Sequence, residues 1–260
     1  MKDRIRHMER GSGPLIATAI HNGHTVRDEL LKKMSIGEME RLREEDPYTE
    51  EWTYIANTRV VGLKSRFEVD LNRPREKAVY ITPEDAWNLR IWESRPSKDE
   101  IAMSLSEYDA FYADMHSLFS DFKQQFGHFV VFDFHSYNHM RNGPDHQPAD
   151  PELNPEINIG TGTLDRDYWA PVVDRFINTL STYKYYGRTL DVRENIKFRG
   201  GNFPSWTNRN FPKSACAIAI EVKKFFMNEW SGEADHEQID MIKSALEKTI
   251  PEVLEGLKKI

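Results

Sequence analysis

Gly127-His-Phe-Val-Val-Phe-Asp-Phe-His-Ser136 is an apolar run with an acid, Asp133, and a histidine, His135, at its end. A continuous apolar run of this length, rather than an alternating one, predicts a strand buried on both faces. A polar Asp-x-His-Ser at its end is costly to bury unless each group is paired or bound. In open α/β sheets, chemistry collects where strands end. Working outward, Pro14-Leu-Ile-Ala-Thr-Ala-Ile-His21 has the same form and is followed by Asn22-Gly23-His24. Ala215-Cys-Ala-Ile-Ala-Ile220 is a third buried-strand candidate, running into Glu221. Two apolar strands that each deliver a histidine to a loop suggest a metal-centred active site.

Helical patterns separate these strands. Val26 to Met34 and Ile36 to Arg43 carry helix-like spacing, and Thr82-Pro-Glu-Asp-Ala-Trp87 reads as a helix start with Thr82 as N-cap. Leu105 to Phe126 is the longest amphipathic candidate, with Tyr108, Phe111, Met115, Phe119 and Phe122 three or four apart. Further helices are expected over Arg166 to Tyr185 and His236 to Lys259, the latter broken or restarted at Pro251. Strand–helix alternation of this kind predicts an α/β fold with helices on both faces of the sheet. No repeat, low-complexity tract or Gly/Ser-rich linker interrupts the chain, so a single domain over residues 1–260 is expected.

The formal net charge of −7 over 260 residues, with no basic block, argues against a nucleic-acid partner, and none is expected. No apolar stretch approaches the roughly 18–20 residues that span a bilayer, so no membrane partner is expected. The N-terminal Met1 to Arg10 is too charged for a signal peptide, and a cytoplasmic protein is expected. The lone Cys216, inside an apolar run, excludes an internal disulfide and reads as a buried structural thiol. Oligomeric state is left open.

His21 and His135 lead as metal ligands, and a catalytic site of this kind takes three protein ligands plus water. The third comes from Glu29, Glu44, Glu45 or Asp46, or from His24, three residues after His21. The alternative is that each histidine is a hydrogen-bonded strand-end residue. Glu221, a carboxylate ending an apolar strand, is either a general base acting on water or a salt-bridge partner of Lys223, Lys224 or an arginine. Asn72-Arg73-Pro74 presents a guanidinium in a turn, suited to a carboxylate or to ordinary surface. The Gly-Gly loop in Phe198-Arg199-Gly200-Gly201-Asn202-Phe203 lacks phosphate-loop spacing and is expected to pass close to the site. Trp87, Trp92 and Trp206 read as pocket walls, interface or core, core being the commonest fate of a tryptophan. Ser136 has no Gly-x-Ser-x-Gly around it, which removes a serine hydrolase.

In this order the pieces resemble the N-formylglutamate amidohydrolase family, which shares its core with the zinc carboxypeptidases and aspartoacylases. The resemblance runs from about Gly13 to Glu233. It rests on Ile20-His21-Asn22-Gly23, Glu44-Glu45-Asp46-Pro-Tyr48, Arg66-Phe-Glu-Val-Asp-Leu-Asn72-Arg73-Pro74, Phe132-Asp-Phe-His135-Ser136, Asn158-Ile-Gly160-Thr161, Phe198-Arg-Gly-Gly201 and Ala219-Ile-Glu221. The chain departs from the family pattern at Ile20 and Asn22, where Pro and Ser are usual, at Pro47, where a large residue is usual, and at His24, where the carboxypeptidases place an acid.

The resemblance implies a mixed, largely parallel central sheet of the zinc-carboxypeptidase, phosphorylase/hydrolase-like type. It implies one Zn2+ per chain on His21, Asp46 and His135, with Glu221 as general base. Asn72 and Arg73 would hold a substrate carboxylate. Arg66, Arg141 and Arg199 are candidates for a second carboxylate or the oxyanion, and Asp133 for orienting a metal-bound histidine. The implied activity is hydrolysis of a small N-acyl amino acid, N-formyl-L-glutamate first. A deacylase or carboxypeptidase with a larger substrate, its pocket shaped by the insert Gly143 to Pro151, and a non-catalytic binding protein are the other readings.

Overall fold

The computed structural model describes residues 4–260. In chain order the elements are β1 (Arg6–Glu9), β2 (Leu15–Ala19), α1 (Asp28–Leu31), α2 (Glu38–Glu44), α3 (Thr49–Thr53), β3 (Thr58–Gly62), α4 (Lys98–Phe126), β4 (Phe129–Tyr137) and β5 (Ile157–Gly160). They continue with α5 (Ala170–Thr182), the small hairpin β6 (Lys184–Tyr185) and β7 (Arg188–Thr189), β8 (Val192–Glu194), α6 (Asn202–Asn210), β9 (Ala215–Lys223) and α7 (His236–Leu257). Seven strands form one sheet in the order β1-β3-β2-β4-β9-β5-β8. β3, β2, β4 and β9 run parallel to one another, β1 is antiparallel to β3, and β5 is antiparallel to β9. The sheet is mixed and largely parallel, with helices on both faces.

The period-two geometry of strands sorts the side chains. Leu15, Ala17, Val130, Phe132, Phe134, Ile218 and Ile220 pack with Trp52 of α3, Phe176 of α5 and Ile242 of α7. Ile16, Phe129, Val131, Ala215 and Ala217 pack on the other face with Phe111, Met115 and Phe119 of α4 and Phe203 of α6. By the same alternation Thr18, Asp133, His135 and Glu221 belong to the α4/α6 face. They lie toward the C-terminal ends of the parallel strands, and the register sets Thr18 opposite Asp133 and His135 opposite Glu221. From β2 the chain steps to β3 on one side and later to β4 on the other. β2 and β4 therefore flank the switch point where open α/β sheets bind ligands.

Several boundaries differ from expectation for local reasons. α4 begins at Lys98 rather than Leu105, because Ser97 and Glu100 form a capping box: Ser97 Oγ accepts from the Glu100 amide (3.2 Å) and Glu100 Oε2 accepts from the Ser97 amide (2.6 Å). Thr82 and Asp85 also form a capping box, but it opens only the 3₁₀ turn Pro83–Ala86. α7 continues through Pro251, contrary to the expected break, since one lost backbone hydrogen bond is offset by buried Leu246, Val253 and Leu257. The strands β1, β3, β5 and β8 are three to five residues long and gave no clear periodicity. A satellite cluster of Leu30, Ile36, Phe67, Tyr80, Ala86, Ile91 and Trp92 supports the excursion between β3 and α4. Cys216 is fully buried, and burial pushes its thiol up.

One contact tests this packing directly. A Cβ on Gly256 of α7 would stand 2.2 Å from the Pro171 carbonyl oxygen of α5. Gly to Ala inside a helix ordinarily stabilises by about 1 kcal/mol. Here the backbone clash reverses the sign, and Gly256→Ala is expected to lower unfolding free energy by about 1–3 kcal/mol, read from urea denaturation midpoints. A raised midpoint would place α5 and α7 wrongly.

Candidate metal centre

The loop after β2 carries His21, the C-terminal part of β4 carries His135, and the turn between α2 and α3 carries Asp46. The Asp46 amide donates to the His21 carbonyl (3.1 Å), and Thr49 Oγ1 donates to the Asp46 carbonyl (2.7 Å), which holds the turn against β2. Asp46 Oδ2 lies 2.9 Å from His135 Nδ1 and 3.5 Å from His21 Nδ1. The three residues are at most 2% exposed, and their donor atoms all fall within 4.8 Å of one another. Their rings meet edge to face, with centroids 5.0 Å apart.

The far nitrogen of each ring is held by a second carboxylate. Asp70 Oδ1 is 2.7 Å from His21 Nε2, and Asp133 Oδ2 is 2.9 Å from His135 Nε2. A carboxylate can only accept there, so each Nε2 carries a proton. Each Nδ1 is thereby directed at Asp46, the arrangement by which carboxylate partners orient metal-binding imidazoles. Asp133 in turn accepts from Thr18 Oγ1 (2.7 Å), and Asp70 from Arg66 Nη2 (3.0 Å), the Asn72 amide (2.7 Å) and Tyr80 OH.

The electrostatics match a cation at the centre. Burial by itself would push Asp46 up, but hydrogen bonds from His135 and His21 hold its carboxyl well below the usual range. Burial also raises Asp70, and Arg66 with His21 outweighs it and keeps that group ionised. Burial disfavours protonated His135, yet the Asp133 charge and hydrogen bond hold it well above its ordinary value. Three buried carboxylates thus share two imidazoles and depend on retained protons. A divalent cation would supply the missing positive charge, and an N2O donor set suits one with ligands at about 2.0–2.2 Å. The residues fit zinc.

Glu221, 9% exposed, has no hydrogen bond to its carboxylate among the described residues, and burial pushes it up to about 7. The anticipated salt-bridge alternative is absent: Lys223 Nζ donates to the Asn154 carbonyl (3.0 Å), and buried Lys224 Nζ to the carbonyls of Arg43 and Glu45 (2.6 Å each). Glu221, His21, Asp46 and His135 all line one cavity of about 270 Å³. Arg66, Arg73, Arg141 and Arg199 also line it, as do Asn72, Gly200 and Gly201. Arg73 makes a long hydrogen bond to the Asp85 carbonyl (3.4 Å), approaches Asp70 at 3.8 Å and lies 5.7 Å from the Tyr80 ring centroid. Arg141 pairs with Glu44 (3.0 Å), and the Arg199 side chain has no ion pair or hydrogen bond among the described residues.

Asn72 Nδ2 reaches 3.5 Å from His135 Nε2 while its Oδ1 accepts from the Phe203 amide (2.8 Å). A Cβ at Gly201 would stand 2.3 Å from that amide group, so only glycine admits this approach.

The structure brings together His21, Asp46, His135, Asp133, Glu221, Asn72 and the arginines, and leaves others out. His24 pairs with Glu45, and Glu45 with Ser65, away from the three converging donors. Glu29 faces Arg27 at 3.7 Å, and Glu44, although it lines the same cavity, pairs with Arg141 and not with the three donors. The insert Gly143 to Pro151 contributes nothing to the cavity lining, so it does not shape the pocket. Trp87 is also not core: it is 40% exposed and forms a cavity wall, whereas Trp92 is 8% exposed and its Nε1 donates to the Tyr80 carbonyl (2.7 Å). Two further participants, Asp70 and Tyr80, went unassigned. An acid flanked by Val69 and Leu71 carries the signal that singled out Asp133, and it applied equally to Asp70.

No curated protein sequence matches the chain. Among solved structures, the N-formylglutamate amidohydrolase from Ralstonia eutropha JMP134 superposes with a TM-score of 0.71 at 16% identity, covering 98% of both chains. A gene product from Agrobacterium tumefaciens superposes with a TM-score of 0.66 at 18% identity, over 98% of this chain and 96% of that one. Carboxypeptidase A from Helicoverpa armigera gives 0.45 at 10% identity, over 94% of this chain and 61% of its own. The N-formylglutamate amidohydrolase family matches residues 13–227, and the chain accordingly belongs to that family and is an amidohydrolase.

Proposed function

We propose that this chain hydrolyses the amide bond of N-formyl-L-glutamate to formate and L-glutamate, with one Zn2+ on His21, Asp46 and His135. The observation that carries this reading is Glu221: a buried, unpaired carboxylate in the same cavity as a buried His-Asp-His triad. Bound zinc supplies Lewis acidity toward the amide carbonyl and lowers the pKa of water toward about 7. Glu221 takes a proton from the attacking water and later returns it to the departing amine, for which a pKa near neutrality is well placed. Asp70 and Asp133 fix the orientation and tautomer of the two imidazoles. Arg73 beside Asn72 holds the α-carboxylate and so places the scissile carbonyl, while arginines across the cavity meet the side-chain carboxylate. A cavity of about 270 Å³ rimmed by four arginines suits a small dianion.

Metal analysis is the first test. Wild type is expected to carry about one zinc per chain, lost in His135→Ala, and chelation is expected to lower the melting temperature, because a ligand at 100 times its Kd stabilises by about 2.7 kcal/mol. Folded wild type that binds no zinc would end this reading.

Glu221→Gln is expected to retain zinc and lower kcat on the order of 10²-fold or more. Because the Glu221 pKa is raised, the acid form persists to higher pH and the base form is lost as pH falls. Wild-type kcat/KM should therefore decline on the acid side through this titration, near 7 without a cation and drawn lower by one. The residual activity of the Gln variant should lack that limb.

Arg73→Ala is expected to raise KM for N-formyl-L-glutamate about ten- to hundredfold, the value of a charge-assisted pair. An equal loss on an N-acyl substrate whose α-carboxylate is amidated would remove Arg73 from the clamp.

A further inference from the structure

We propose that Trp87 is the positioning residue that selects an acidic side chain in the substrate, by holding Arg66 and Arg141 as a carboxylate-reading pair. This rests on the reading of the cavity as the site of an acyl amino acid. Trp87 ends the 3₁₀ turn Pro83–Ala86 with φ 52° and ψ 33°, and Asn88 follows at φ 68°. Two successive left-handed residues without a glycine are unfavourable and persist only where the surroundings enforce them.

The surroundings are on the page. Asp85 Oδ2 accepts from the amides of Ile81 and Thr82 (2.9 Å each), and the Asn88 amide donates to the Pro83 carbonyl (2.8 Å). Ala86, Ile91 and Trp92 anchor the segment in the satellite core. What this arrangement delivers is the indole, turned out to the cavity at 40% exposure instead of being buried with its neighbours.

Two cations meet that ring. The guanidinium carbon of Arg66 lies 4.8 Å from the ring centroid and that of Arg141 lies 5.9 Å from it, with Tyr80 edge-on at 6.2 Å. The arginines come from different parts of the chain, one after β3 and one after β4. A guanidinium stacked on an aromatic face offers its N–H groups in its own plane. Arg66 donates to Tyr80, to the Glu44 carbonyl and to Asp70, and Arg141 to the Glu44 carboxylate, and each guanidinium retains further N–H donors for a substrate carboxylate. The same turn touches Arg73 through the Asp85 carbonyl (3.4 Å), so it contacts three of the four cavity arginines. Arg141 has a half-exposed side chain that is held by Glu44 on one side and meets the indole on the other.

The test compares wild type, Trp87→Ala and Trp87→Phe on N-formyl-L-glutamate and the near-isosteric, neutral N-formyl-L-glutamine. Zinc content and melting temperature are measured alongside. The expected result for Trp87→Ala is a rise in KM for the glutamyl substrate on the order of tenfold beyond any rise for the glutaminyl one. The preference for the acid collapses, and Trp87→Phe recovers most of it by restoring an aromatic face. Equal losses on both substrates, or none, overturn the proposal. If Trp87→Ala does not fold, Trp87→Leu takes its place, keeping apolar bulk without a π face.

A binding arm separates this proposal from the proposed chemistry. Glutarate, a dicarboxylate with no amide to hydrolyse, is titrated into zinc-loaded protein while tryptophan emission is followed. A change in wild type that is absent in Trp87→Phe supports Trp87 even if neither formyl substrate is turned over, in which case only the proposed reaction fails. No emission change with glutarate at saturation overturns the Trp87 proposal whatever the turnover.

Discussion

Five buried side chains form one alternating chain, Asp70–His21–Asp46–His135–Asp133, and the arrangement of the site follows from the cost of burying them. Ionised carboxylates removed from water must be paired or bound to a cation. Here each imidazole sits between two acids, and each terminal acid has its own donors, Thr18 for Asp133 and Arg66 with Tyr80 for Asp70. The excess of acid over base makes a divalent cation a natural completion. It also explains why the donors sit on rigid elements and a tightly bonded turn rather than on free loops.

Charge is layered around that centre. Acids and imidazoles form the floor at the strand ends, while the arginines and Trp87 form the rim. Glu221 lies between them, raised first by burial and further by the charges of Asp46 and Asp133, while Lys223 and Lys224 spend their ammonium groups on backbone carbonyls. The floor suits polarising an amide and the rim suits holding an anion, so one cavity separates chemistry from recognition. In the proposed reaction, burial in the interior would tune the first, and the stackable guanidiniums would perform the second.

Much of this was legible along the chain because strong local signals coincide with it. The buried-strand runs at Leu15–Ala19, Phe129–Tyr137 and Ala215–Lys223 are long or uniformly apolar, and all three are central strands. His21, Asp133, His135 and Glu221 stand out because a polar group beside such a run needs a partner. The strands β1, β3, β5 and β8 did not stand out, since short pieces owe their strand state to neighbours in the sheet and not to their own periodicity. Trp87 was misjudged because burial of a tryptophan is the common outcome, and nothing local signals that its backbone turns the ring outward.

The sequence alone determined the α/β class, the strand-end histidines and the unusual strand-end glutamate, because hydrophobic periodicity and the cost of burying polar groups act locally. Which carboxylate meets the histidines was decided only in three dimensions. Glu44, Glu45 and Asp46 are consecutive, yet the turn that bonds the Asp46 amide to the His21 carbonyl sends one to the centre, one to His24 and Ser65, and one to Arg141. Backbone geometry makes that choice at single-residue resolution, and spacing in sequence does not carry it. The same holds for Arg66, Arg73 and Arg141, gathered from two separate connections onto one turn by a packed satellite core.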